Sequence, residues 1–150
     1  MATQNSTQYG NTQATPREMN HPHEDRGRVR VKAFDFTQSG AGTAGDEALL
    51  CSMDAGKIRI LSATVTNSAL GASRTMDLGH QGYSPLTGAA VAADPDAFHA
   101  DEDVSAVATN TIVINTVIEA KDTWVLSAQI NDGTIPTGAT LNGYVLYVVD

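Results

Sequence analysis

Residues 123–134 read TWVLSAQINDGT, and this stretch decides the fold class. Apolar or small side chains recur at every second position of its first half, which is the period of a β-strand with one buried face. The run 131–134 that follows is rich in turn-forming residues and favours a β-hairpin. The stretch therefore predicts an antiparallel β protein whose inward side chains include Trp124, Leu126, Ala128 and Ile130.

Strand patterns of the same kind recur along the chain from residue 28 onward. They are separated by turns rich in Gly, Ser and Thr, and residues 80–93 are small enough to form a surface loop. About seven short strands with such turns are typical of an antiparallel β-sandwich or a jelly-roll-like barrel. The predicted strands cover residues 28–37, 47–53, 57–66, 73–78, 111–118, 123–130 and 143–149.

Two of these strands change parity along their length. In the first, Val29 and Val31 alternate with charged residues, but Phe34 and Phe36 occupy the opposite set of positions. A β-bulge, or a strand covered on both faces, would explain that change. A similar change occurs near Leu61 in the third strand.

Residues 94–103 differ from the strands, because they begin with a helix-start signal. Asp94 suits an N-cap, Pro95 suits the first helical position, and Asp96 suits the positive end of the helix dipole. The pattern predicts one short helix over about 94–103, held to the body by Phe98.

The chain divides into an N-terminal arm, residues 1–27, and a body, residues 28–150. The arm is rich in Thr, Gln, Asn and Pro, and its only large apolar residues beyond the initiator are Tyr9 and Met19. It has too little apolar surface to offset the entropy of ordering, so we expect it to be disordered alone and extended when bound to a partner.

Charge is unevenly distributed between the two ends of the chain. The net charge is −8, but residues 1–32 hold five basic and three acidic residues, whereas residues 33–150 hold four basic and fourteen acidic ones. An acidic body disfavours nucleic-acid and anionic-membrane partners. A basic leading segment favours attachment to an acidic surface, although it would also serve solubility alone. Since no apolar stretch resembles a signal or a membrane span, we expect synthesis in the cytoplasm.

Motifs for chemistry are scarce. Cys51 is the single cysteine and lies in an apolar run, which favours a small buried residue, and the four histidines lack zinc-binding spacing. The acidic residues within 94–103 lack the register of a calcium loop, so surface charge is favoured over a cation site. The glycines of 40–45 match a dinucleotide fingerprint on paper only, since no helix is predicted to follow. We therefore predict no catalytic residue, no metal and no cofactor, and a protein that is not an enzyme.

The order of segments resembles that of small structural proteins of tailed bacteriophages, in particular head decoration (cement) proteins. The segments that carry the resemblance lie at residues 27–31, 34–37, 44–46, 55–60, 69–73, 77–79 and 94–98. This resemblance implies a β-sandwich homotrimer on the outer surface of the capsid, bound to the major capsid protein where its subunits meet.

In this interpretation residues 1–27, the leading segment, lie along adjacent capsid subunits, and side chains in and next to this segment make the binding contacts. Two side chains would act as apolar anchors and four would pair with acidic groups: Tyr9 and Met19, then Arg17, Arg26, Arg28 and Arg30. Two other interpretations of the function stay open. One is a neck, tail or fibre-associated virion protein that binds the host. The other is a small carbohydrate-binding module or enzyme.

Overall fold

The protein is described by a computed structural model that covers residues 28–149. The predicted arm, with Tyr9, Arg17, Met19 and Arg26, lies outside these residues. The described part consists of eight strands: β1 (Val29–Thr37), β2 (Glu47–Met53), β3 (Gly56–Asn67), β4 (Thr75–His80), β5 (Asp94–Asp103), β6 (Ala108–Ala120), β7 (Trp124–Asn131) and β8 (Thr140–Val149).

The strands form two four-stranded antiparallel sheets. The first sheet has the order β1-β8-β3-β6 and the second has the order β2-β7-β4-β5. Eight strands divided in this way between two facing sheets form a jelly roll. The predicted all-β antiparallel fold is confirmed, and each of the seven predicted strands is present. Within residues 28–149, no helix is long and apolar enough to cross a membrane.

The core lies between the two sheets and follows the alternation that the sequence shows. The four residues of β7 predicted to face inward are at most 2 % exposed. They pack against inward side chains of the first sheet, where each Val, Leu or Ile contributes about 1.5–3 kcal/mol when fully buried. That opposing layer includes Ile58, Ile60, Ala63, Val65, Leu141 and Val145.

The parity change near Leu61 in β3 is confirmed as an irregularity of the first sheet. Ile60 pairs with Tyr147 of β8, and Ser62 pairs with the very next residue along β8, Leu146, so Leu61 is an extra residue. The bulge exchanges the two faces of the strand. Ile60 faces inward before it, and Ala63 faces inward after it.

The predicted helix over 94–103 is wrong, because these residues form strand β5. The strand pairs with β4, for example between Leu78 and His99, and it completes the second sheet at its edge. An edge position tolerates Pro95, which has no N–H to give to a ladder. The half-buried Phe98 packs against the core. A helix cap contributes only about 1 kcal/mol, which is less than closing the sheet over the core contributes.

The proposed explanations of the β1 parity change are also wrong. Register with β8 is continuous from Val29 to Thr37, so no bulge interrupts the pairing. Nor is the strand covered on both faces, because Val29 and Val31 are 58 % and 62 % exposed while Phe34 is buried. The two valines simply lie on the outer face of the first sheet.

The hairpin predicted at residues 131–134 does not form. Asp132 and Gly133 both have positive φ, as a turn requires. The chain then leaves the second sheet, however, and β8 pairs with β1 and β3 rather than with β7. The turn signal correctly indicated where β7 ends, but it carried no information about which sheet the next strand joins.

Candidate functional site

Of the six predicted capsid-binding residues, the structure describes Arg28 and Arg30. Arg28 is exposed just ahead of β1, and Arg30 is exposed on β1 itself. Arg30 lies opposite Tyr147 in the register with β8. Its charge also acts on Asp54 and Tyr147, so it lies beside a polar cluster at this end of the sandwich.

That cluster links both sheets through Asp54. Lys32 Nζ donates to Asp54 Oδ1 at 2.7 Å and to the Ser52 carbonyl at 2.6 Å, and the Tyr147 hydroxyl donates to Asp54 Oδ2 at 2.9 Å. Two hydrogen bonds lower the pKa of Asp54 below its ordinary value, and the bond from Lys32 has a larger effect than the bond from Tyr147. Burial is the main cause that raises the pKa of Tyr147, and the hydrogen bond to the Asp54 carboxylate raises it further. The cluster holds β1 and the β2–β3 turn together.

We expect Asp54→Asn to lower stability at neutral pH but not in strong acid. The folded-state pKa of Asp54 lies below its unfolded value of about 3.8, so the carboxylate stabilises the fold above that value. Its contribution is lost as the pH falls through the lowered folded-state pKa. Because Asp54 is 42 % exposed, the loss at pH 7 should be about 1 kcal/mol or less. Urea unfolding at pH 7 and at about pH 2 measures it.

Asp96→Asn is the matched control, because Asp96 is an exposed carboxylate on β5. It should change the unfolding free energy less than Asp54→Asn does at pH 7. An Asp54→Asn penalty of equal size at both pH values would show that the carboxylate charge is not what stabilises the cluster.

The cysteine and the two histidines of the described residues each have packing or polar partners. Cys51 is half-buried against the core, and burial raises the pKa of its thiol to about 11. His80 is buried among rings, with Tyr83 at 5.1 Å, Phe98 at 5.8 Å and Trp124 at 6.2 Å between centroids. The Nε2 atom of His99 lies 2.8 Å from Oε2 of Glu102. The thiol therefore stays protonated near neutral pH, where it is a poor nucleophile.

The possible metal-binding groups and the glycine-rich loop at residues 40–46 show no sign of a ligand site among the described residues. Within residues 28–149, no group of three or more His, Cys, Asp and Glu side chains is arranged to hold a metal ion. The loop at residues 40–46 leads into strand β2 and opens no helix. There Asp46 accepts hydrogen bonds from the Thr43 amide at 2.6 Å and hydroxyl at 2.8 Å, which lower its pKa.

One open cleft of about 340 Å³ lies beside the 82–91 loop. Among the described residues that line it, Asp122 is the single charged one, and the others include Tyr83, Val91 and Thr123. One carboxylate without a facing partner does not form the paired arrangement that acid–base hydrolysis of a glycoside needs. The cleft therefore gives no specific support to a carbohydrate-processing site.

The two sheets differ strongly in charge, and this contrast is the clearest surface feature of the body. The strands of the second sheet hold seven acidic residues and no basic residue. Those of the first sheet hold four basic and two acidic residues. Five of the seven acidic residues lie on the edge strand β5, so the second sheet is strongly acidic along that edge, and the first sheet is not.

The outer face of the first sheet is the least charged part of this surface. Three neighbouring rows of paired residues cross all four strands, and they contain a single charged residue. We call these rows the uncharged face, because Asp35 on the edge strand β1 is their only charged residue. They are Val31–Leu146–Ser62–Val113, Ala33–Tyr144–Thr64–Thr111 and Asp35–Asn142–Thr66–Thr109.

Comparison with solved structures identifies the architecture. The chain aligns with a chain in the capsid of Ralstonia phage GP4 at a TM-score of 0.66 and 20 % identity, covering 84 % of this chain and 88 % of that one. A chain of the cyanophage Pam1 capsid asymmetric unit aligns at 0.62 and 16 %, covering 100 % of both chains. A chain of infectious bursal disease virus, Gt strain, aligns at 0.52 and 13 %, covering 83 % and 33 %.

The likeness is one of fold. Identities of 20 % and below show that the jelly roll is shared with these capsid chains, and nothing finer. Neither protein-family models nor curated protein sequences match this chain.

Proposed function

We propose that this protein is a structural component of a bacteriophage head, a decoration protein that binds the outer surface of the capsid. In this proposal it has no catalytic step. It forms a homotrimer, contacts the major capsid protein, and holds neighbouring capsid subunits together. A clamp that binds only the assembled lattice stabilises that lattice by linkage.

The observation that carries the proposal is the full-length match to a phage capsid chain. This chain and the Pam1 chain cover each other completely, so both are single jelly rolls of similar length. The bursal disease virus chain differs, because there the matching part is a third of a longer polypeptide. A phage capsid chain that this jelly roll matches over its full length suits an accessory that is added to a shell.

Charge supports an outer position. The acidic second sheet would repel encapsidated nucleic acid if it faced the interior, and on the outside it would keep particles from associating. The leading segment supports lattice binding, because a polar, extended chain can spread over several subunits as it orders. Three such segments in a trimer would act together through avidity.

Copy number in purified particles tests the proposal. A protein repeated over the capsid lattice should be present in hundreds of copies per particle, because lattice symmetry repeats each site many times. Quantitative mass spectrometry, with the major capsid protein as the internal standard, measures this ratio. A handful of copies would instead place the protein at the neck, tail or fibres, and absence from the particle would remove a virion role.

A further inference from the structure

The uncharged face exposes several large apolar side chains to solvent. Val31 and Val113, at its two edges, are 62 % and 79 % exposed, and Tyr144 is 41 % exposed. Leu146 lies in the same row as the two valines. The wet side of an antiparallel sheet normally carries polar side chains, and a contiguous apolar patch marks a surface that another molecule covers.

The hydroxyl groups on this face are paired with one another. Thr64 and Thr111 approach to 3.0 Å between their hydroxyl oxygens, and Thr66 and Thr109 approach to 2.8 Å. These cross-strand pairs satisfy the four hydroxyl groups within the sheet, so they need no partner from another molecule. A partner of this face should be apolar and poor in charge, since an unpaired charge would be desolvated against it.

The size of the face argues against a simple pair of copies. Four strands about 4.8 Å apart and three rows about 6.8 Å apart span on the order of 400 Å². Two such faces together would bury about 800 Å², which is below the roughly 1,200 Å² that stable complexes bury. Three faces of one trimer would place about 1,200 Å² on a lattice, which exceeds the roughly 800 Å² per partner of a standard interface.

The point at which the leading segment joins the body favours the same partner. Residue 27 directly precedes Arg28 and β1, the edge strand of the first sheet, and Val29 and Val31 lie on its outer side. A segment bound along capsid subunits would bring this sheet, rather than the acidic one, against the shell. The acidic second sheet would then face solvent.

We propose that the uncharged face is the surface by which the body of each copy lies on the capsid, against an apolar, uncharged patch of the major capsid protein. This inference rests on the proposed function. It adds a second contact to the one made by residues 1–27, and it assigns the outward side of the jelly roll to the acidic sheet.

Binding of the full chain to undecorated heads tests the inference through Val113→Asp. A carboxylate at this exposed position should weaken binding at least tenfold, because it would be desolvated in the interface. Leu49→Asp is the matched control, because Leu49 is 58 % exposed on the second sheet and its substitution adds the same charge. It should bind within twofold of the natural protein.

Three results distinguish the possibilities. If the natural protein binds heads and Val113→Asp binds equally well, the inference is overturned and the proposed function stands. If Val113→Asp breaks the oligomer, as measured by native mass spectrometry, the face is a contact between copies and the inference is again overturned. If the natural protein does not bind heads at all, the proposed function itself fails.

Discussion

Gly143→Ala should destabilise the protein by at least about 3 kcal/mol. Gly143 lies in β8 and pairs with Phe34 of β1 and Val65 of β3. A Cβ added there would overlap the Thr64 carbonyl oxygen and lie 3.0 Å from the Phe34 ring. The carbonyl belongs to the backbone of a central strand, and the buried ring has little room to move. Neither neighbour can yield without disturbing the sheet.

Gly40→Ala is the control, because a Cβ there meets nothing within 4 Å. It should change stability by no more than about 0.5 kcal/mol. Trp124, the single tryptophan, is buried in the core and reports unfolding by fluorescence in urea. The variants are compared at equal protein concentration, since oligomers gain stability with concentration. A Gly143→Ala chain that is soluble and unfolds at the same urea concentration as the natural protein would contradict the packing described for β8.

The strands could be predicted from the sequence because burial on one face imposes a two-residue period. Trp124 and Ile130 illustrate the success, since both follow that period and both are buried. The register change at Leu61 was visible for the same reason. Apolar residues change parity in both β1 and β3, but only in β3 are both sets buried, and there an extra residue shifts the register without ending the strand.

The errors arose where local signals compete with long-range pairing. Asp94 and Pro95 favour a helix start when they are considered alone, but the second sheet needs an edge strand there. Asp132 and Gly133 favour a tight turn, and they do turn the chain, but towards the other sheet. Capping and turn preferences involve neighbours in sequence, whereas strand order depends on partners that are dozens of residues apart.

The uncharged face could not be found from the sequence for the same reason. Its first row combines Val31, Ser62, Val113 and Leu146, which come together only when the sheet order is known. One local clue was present. Phe34 and Phe36 are the larger apolar residues of β1, and placing them inward would have placed Val29 and Val31 outside.

Removing residues 1–27 should have the largest effect on function. The truncated protein retains all eight strands of the jelly roll, so its melting temperature and oligomeric state should be nearly unchanged. Fully extended, 27 residues reach about 90 Å, enough to cross more than one capsid subunit. In the proposed trimer, losing three such segments removes the contacts that avidity multiplies, so binding to undecorated heads should weaken at least tenfold.

Occupancy of undecorated heads by the truncated protein is the measurement that tests the account most directly. The natural protein and the Gly40→Ala variant, treated in parallel, should fill the heads at the same concentration. We predict that the folded, truncated protein leaves most of the sites empty at the lowest concentration at which the natural protein fills them. A truncated protein that decorates the heads to the same occupancy would contradict the claim that residues 1–27 bind the shell.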